Sequence, residues 1–133
     1  MELLVNIDVD DLERAAAFYT TALPLQIGRR FGSDGVELLG GSSAVYLLAK
    51  RAGTEGAPGS VRGYARHWTP MHLDVVVPDL DAAVARATKA GATLEAPPGS
   101  RSWGRIAMLA DPFGHGFCLI EFSEQGYDAI AGG

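Results

Sequence analysis

VPDLDAAVAR (77–86) repeats the pattern of VDDLERAAAF (9–18) at an offset of 68 residues, so that Val9 answers Val77, Asp11 answers Asp79 and Leu12 answers Leu80. Each copy follows a short segment rich in β-branched residues, LLVNIDV (3–9) and MHLDVVV (71–77), which reads as a strand. At each junction an Asp, either Asp10 or Asp11 in the first copy and Asp79 in the second, can accept a bond from the free N–H groups of a first helical turn. Leu12, Ala15, Ala16, Tyr19, Ala22 and Leu23 recur at helical spacing, as do Leu80, Ala83, Val84 and Ala87, giving each helix one apolar stripe. Pro24 and Gly91 stop the two helices. The repeat is strand then helix, twice.

Beyond each helix the pattern changes to short strands separated by glycine-rich turns. They are expected at 25–30, 36–39 and 43–49 in the first half, and at 92–96, 105–110 and 117–122 in the second. Each half therefore reads β-α-β-β-β. The expected organisation is one domain over 1–133, with a first module at 1–49, a linker at 50–70, a second module at 71–123 and a tail at 124–133. The stretch 50–70, rich in Gly, Pro and Arg and without periodicity, suits a linker or a lid over a site. The fold class is α+β: two tandem modules whose mixed sheets curve around a cup-shaped cleft.

Composition narrows the function. The chain has 133 residues, 47% hydrophobic and with a formal net charge of −5, and its Lys and Arg are scattered, so it lacks the basic stripe that neutralises phosphates. Nucleic acid is not expected as a partner. Its single cysteine, Cys118, allows no intrachain disulfide, which fits a cytoplasmic protein. No apolar run approaches the ~20 residues of a membrane helix, and no signal-peptide pattern opens the chain, so no membrane partner is expected.

Strand alternation separates two faces. Leu3, Val5, Ile7 and Val9 point toward the first helix, leaving Leu4, Asn6 and Asp8 opposite; Leu73, Val75 and Val77 do the same in the second half, leaving His72, Asp74 and Val76. Four polar side chains, Asn6, Asp8, His72 and Asp74, thus share equivalent faces of equivalent strands. Such a face is either solvated or lines a cavity, because a polar group buried without a partner costs about 1–3 kcal/mol.

The doubled pattern, with HLDVVVPDLDAAVARATKAGA (72–92) and WGRIAMLADPFGHGFCLIEF (103–122), resembles the vicinal-oxygen-chelate superfamily. That superfamily includes glyoxalase I, methylmalonyl-CoA epimerase, extradiol dioxygenases, fosfomycin-resistance enzymes and bleomycin-resistance proteins. The most specific piece is the ordered set of Trp103-Gly104, the Asp-Pro-Phe-Gly turn at 111–114 and the final strand. The resemblance implies the glyoxalase/bleomycin-resistance fold, a homodimer and, in metal-using members, a divalent ion held from the first and last strands of the two halves. Carried onto this chain, the four ligand positions are Leu4, Tyr46, His72 and Cys118. Of these His72 alone is the kind of donor that such sites use, and a leucine supplies none. No cofactor is expected, though a divalent metal stays an open alternative.

Further candidates are Trp103, as a stacking plane, and Arg105, as an anion-binding fork. Tyr64 and Trp68 in the linker could cover the opening. Parity turns Glu121 away from the cup, His67 and His115 sit in loops, and Cys118 has no evident base to make it a nucleophile. The expected ligand-binding set is therefore Asn6, Asp8, Tyr46, His72, Asp74, Trp103, Arg105 and Cys118, with His72 and Asp74 the candidates for acid–base work. Two functions compete: a metal-free cup that binds a small organic molecule, in sequestration or resistance, and a lyase, isomerase or dioxygenase that uses a metal or His72. Asp8 and Asp74 in the cup would favour a cationic or hydrogen-bond-rich ligand.

Overall fold

The computed structural model describes residues 1–132, which divide into two compact units, the first Met1–Ala65 and the second beginning at Arg66. In the first unit, β1 (Val5–Val9) runs into α1 (Leu12–Ala22), followed by β2 (Gln26–Phe31), β3 (Gly35–Leu39) and β4 (Val45–Ala49). Their sheet has the order β1-β4-β3-β2, with β1 parallel to β4 and the other pairs antiparallel. A two-stranded hairpin, β5 (Glu55–Ala57) and β6 (Ser60–Val61), completes the unit. The second unit repeats the scheme with β7 (Leu73–Val76), α2 (Leu80–Ala90), β8 (Thr93–Arg101), β9 (Gly104–Ala110) and β10 (Gly116–Phe122), ordered β7-β10-β9-β8, and ends in a 3-10 turn at Gly126–Ala129. These are two similar modules of one helix and one mixed sheet each. Among the described residues no helix is long and apolar enough to cross a membrane.

Both helices start as their caps dictate. Asp11 accepts from Arg14 N and Asp79 from Ala82 N, each at 3.1 Å. Gly91 closes α2 at φ 122°, a conformation that costs a residue with a Cβ strain. Each sheet also reaches up to the first turn of its helix with an arginine: Arg30 bonds Glu13 at 2.8 Å, and Arg105 bonds both carboxylate oxygens of Asp81 at 3.0 Å.

The buried faces follow the alternation. Ala15, Ala16, Phe18, Tyr19 and Ala22 of α1 pack toward Val9, Val36, Leu38 and Leu47, while Leu80, Ala83, Val84 and Ala87 of α2 pack toward Ala107, Leu109 and Leu119. Fully burying a leucine such as Leu38 or Leu109 stabilises by roughly 1.5–3 kcal/mol. In the β9–β10 turn the buried Asp111 carboxylate accepts from Phe113 N and His115 N, both at 2.8 Å, which seats Phe113 in the core.

Two stretches differ from expectation. The eighth strand reaches Arg101 rather than stopping at residue 96, and it does so through Pro97 and Pro98. It is an edge strand with register shifts at Leu94/Ala96 and Ala96/Gly99, where missing N–H donors cost least. The stretch 50–70 is not an unstructured linker. Gly59 turns at φ 78°, β5 pairs with β6, and Arg62 and Gly53 extend the ladder through Arg62 N to Thr54 O (2.8 Å) and Gly53 N to Arg62 O (2.9 Å). Residues 50–65 belong to the first unit and 66–70 to the second.

Candidate functional site

In each unit the sheet face away from the helix carries the polar side chains. Across the first, register places Asn6 beside Tyr46 and Tyr46 beside Glu37. The row ends at a bulge, since Gly28 and Arg29 of β2 together stand opposite Glu37. That extra residue sends Arg30 to the helix side and Arg29 to the other.

Glu37 is only 5% exposed, yet its carboxylate is fully engaged. Arg29 donates to it from its backbone N (3.1 Å), from Nε (3.1 Å) and from Nη2 (2.6 Å), and the Tyr46 hydroxyl donates at 3.2 Å. The Arg29 side chain and then its backbone N–H hold the Glu37 carboxyl down to about 2, from an ordinary 4.5, and Glu37 in turn raises the Arg29 guanidinium. Gly28 makes room: a Cβ there would lie 2.6 Å from Glu37 Oε1. On the same face Arg62 Nε donates to Asp8 Oδ2 at 2.7 Å, and Arg62 Nη1 to the Glu55 carbonyl at 2.7 Å. Asp8 and Glu37 are therefore both neutralised by arginines, and the expected attraction of a cation by Asp8 is corrected: its carboxylate already has one.

The second unit holds its polar groups differently. His72 Nε2 lies 3.2 Å from Asp74 Oδ1, and Cys118 stands directly opposite Asp74 in the parallel register. The three donor atoms of His72, Asp74 and Cys118 lie within 4.8 Å of one another. Burial first, then the charge and hydrogen bond of Asp74, push the Cys118 thiol up to about 11, so it keeps its proton at neutral pH. The exposed Trp68 ring is 5.5 Å from the His72 ring.

The remaining expected residues lie apart from this cluster. Trp103 packs edge-on against Phe122 (6.1 Å) and Tyr127 (5.5 Å), an aromatic group at the start of β9. Arg105 is a correction. It shares parity with Ala107 and Leu109, so it points to the helix side, and its fork is spent on Asp81 with Glu121 at 3.7 Å. Glu121 faces the same way and accepts from Leu80 N at 2.8 Å, as its parity required. Tyr64 donates to the Lys50 carbonyl at 2.6 Å within the first unit, His67 lies 3.5 Å from Thr69 Oγ1, and His115 sits half-buried in its turn. Leu4 is exposed ahead of β1.

Sequence reasoning did not single out Glu37, Arg29 or Arg62. Glu37 had a signal: in GVELL (35–39) a carboxylate alternates with Val36 and Leu38 inside a strand, where it needs a partner.

The divalent ion of the superfamily needs three or four nitrogen, oxygen or sulfur donors. Leu4 has no donor and the Tyr46 hydroxyl is committed to Glu37, so of the four positions His72 and Cys118 alone are left to offer a donor atom. The four positions do not fit that ion.

A sequence model of the glyoxalase-like domain matches residues 4–120. The anthracycline biosynthesis protein DnrV of Streptomyces peucetius is 35% identical over 134 residues, covering 97% of this chain and 44% of that protein. This chain thus spans less than half the length of that relative. An uncharacterized protein of Mycobacterium bovis is 32% identical over 121 residues, covering 84% of this chain and 76% of its own length. Among solved structures, a glyoxalase/bleomycin resistance protein/dioxygenase family enzyme from Burkholderia phytofirmans superposes with a TM-score of 0.72 at 21% identity, covering 90% of this chain and 97% of that one.

Proposed function

This chain belongs to the glyoxalase-like domain family of the vicinal-oxygen-chelate superfamily, and from that premise we propose that it binds a small organic molecule on the helix-free face of its second sheet, without a resident metal, for sequestration or resistance. One observation carries the reading: at two of the superfamily's four ion positions the side chains are a leucine and a phenol committed to Glu37, which leaves His72 and Cys118. What remains beside Trp68 is a polar dyad, His72 with Asp74, next to an aromatic plane. That pairing suits a ring bearing hydrogen-bonding oxygens. The relative named for anthracycline biosynthesis directs the ligand search to anthracyclines and their fused-ring precursors. The same reading has residues 1–133 act as one domain, in a cytoplasmic homodimer, the latter checked by light scattering.

The second reading is an enzyme, a lyase, isomerase or dioxygenase of the same superfamily. The closeness of the His72, Asp74 and Cys118 donor atoms favours it, either as a reduced metal site or as an acid–base centre at His72. Metal analysis of purified protein separates the two. The binder contains no stoichiometric Zn, Ni, Mn or Fe; one equivalent that disappears in His72→Ala overturns it. A thermal-shift screen supplies the positive arm, since a ligand at a hundred times its Kd stabilises the folded state by about 2.7 kcal/mol. His72→Ala and Trp68→Ala should abolish that shift.

A further inference from the structure

The first unit presents a guanidinium that its own sheet has immobilised. Arg29 grips Glu37 through Nε and Nη2, which fixes the plane of the fork, and Nη1 carries no hydrogen bond among the described residues. The carboxylate lies beneath, with its side chain 7% exposed, while the Arg29 side chain is 69% exposed. The pair is thus a dipole with its acceptor end buried and its donor edge in solvent. Beside that edge stands an aromatic wall: the Arg29 guanidinium carbon is 5.6 Å from the centre of the Phe31 ring, and Phe31 is 6.2 Å from the Tyr46 ring. Phe31 is 42% exposed at a strand end where Gly35, opposite it, has no side chain to cover it.

We propose that Arg29, clamped by Glu37 and Tyr46, is an anion receptor for a planar aromatic carboxylate whose ring lies against Phe31. Two features argue for an oxyanion rather than a cation. The exposed edge holds donors alone, and both acids of this face, Asp8 and Glu37, are already paired with arginines. A third feature argues for a ring: Phe31 offers exposed aromatic surface within reach of the guanidinium. Because Glu37 already holds the Arg29 rotamer, a ligand meeting the two forgoes little entropy. The bulge that places Gly28 and Arg29 opposite Glu37 is what builds the receptor. The proposal stands on residues of the first unit alone, so its failure leaves the reading of the second unit's dyad untouched.

The test is calorimetric titration of the full chain with 2-naphthoate and with 2-naphthamide, the same ring with and without the charge. The expected result is at least tenfold tighter binding of the carboxylate. Arg29→Gln should cost the carboxylate about tenfold and leave the amide within twofold. Because Arg29→Gln strands Glu37, the double variant Arg29→Gln/Glu37→Gln, which keeps the pair neutral and hydrogen-bonded, gives the same readout if the single variant misfolds. Phe31→Leu should weaken both probes alike. Equal affinity for the two probes, no binding of either, or a carboxylate preference that survives the double variant overturns the proposal.

Discussion

Across β1, β4, β3 and β2 the row away from α1 reads Asn6, Tyr46, Glu37 and Arg29; across β7, β10, β9 and β8 the matching row reads Asp74, Cys118, Met108 and Ala96. In the first unit the polar groups extend to the edge strand, and each acid is locked to an arginine. In the second the row itself turns apolar after two strands; Glu95 in the β8 bulge is locked to Arg66 (2.7 and 2.8 Å), and the remaining polar cluster is one histidine, one carboxylate and one thiol. The difference teaches that a repeated backbone does not repeat its electrostatics. The first face holds fixed, paired charge, which orients a ligand. The second holds groups that can trade protons, where binding can become chemistry.

The sharpest break between the halves lies in the equivalent hairpins β2–β3 and β8–β9. Gly104, at φ 150°, has no room for a Cβ, which would fall on the Glu121 carbonyl and within 2.9 Å of Phe122 Cα. Gly32, in the β2–β3 turn at φ 58°, has nothing within 4 Å. Gly104→Ala should therefore cost more than about 4 kcal/mol, enough to leave the chain largely unfolded, because backbone must move in addition to the φ strain. Gly32→Ala should cost about 1 kcal/mol from φ alone. Urea denaturation of the two variants checks the contrast, and equal losses would show that the Trp103-Gly104 corner is not a close backbone approach.

A smaller effect probes the bulge. Gly28→Ala pushes on a Glu37 carboxylate that five hydrogen bonds hold in place, so it should destabilise by about 1–3 kcal/mol. Ala96 occupies the corresponding place opposite Met108 in the second unit and already carries a Cβ. Ala96→Gly should lower the melting temperature less than Gly28→Ala does. If Gly28→Ala is as stable as the parent, the clamp is looser than the distances say.

The Glu37 carboxyl also gives the first unit a pH signature. Its folded value, about 2, lies below the ordinary 4.5, so its contribution to stability is fully present above 4.5 and is lost as pH falls through about 2. In Glu37→Gln that part of the acid dependence vanishes. Urea midpoints measured from pH 5 to pH 2 should fall more steeply for the parent than for the variant, and parallel curves would refute the assignment.

The contrast also marks how far the amino-acid sequence is legible. The helices could be read because a cap is a local event: Asp11 and Asp79 bond N–H groups three residues on. The faces of β1 and β7 could be read because parity is local as well, and it placed Glu121 on the helix side correctly. Arg29 was not legible, since a bulge, which no alternation reveals, decides that Arg29 and Arg30 take opposite faces. Nor was Arg62, whose bond to Asp8 spans 54 residues and arises from a hairpin in a stretch without periodicity. Arg105 was misread as a site residue because a fork in a strand looks equally available whichever way it points; its parity with Leu109 decides otherwise.

The smallest expected effect concerns the second unit alone. Cys118 is 4% exposed, and its thiol is pushed up to about 11 mainly by burial, with the Asp74 carboxylate adding charge and a hydrogen bond. Asp74→Asn removes the charge but leaves the burial, so the thiol should fall part of the way toward its ordinary 9 and no lower. The Cβ carbon chemical shift of Cys118, followed by NMR as pH is raised, reads this directly because the chain has no other cysteine. Glu37→Gln, on the first unit's separate network, should leave that titration unmoved. If Asp74→Asn leaves it unmoved too, burial alone holds the proton on Cys118, and the second face is less coupled than the closeness of His72, Asp74 and Cys118 implies.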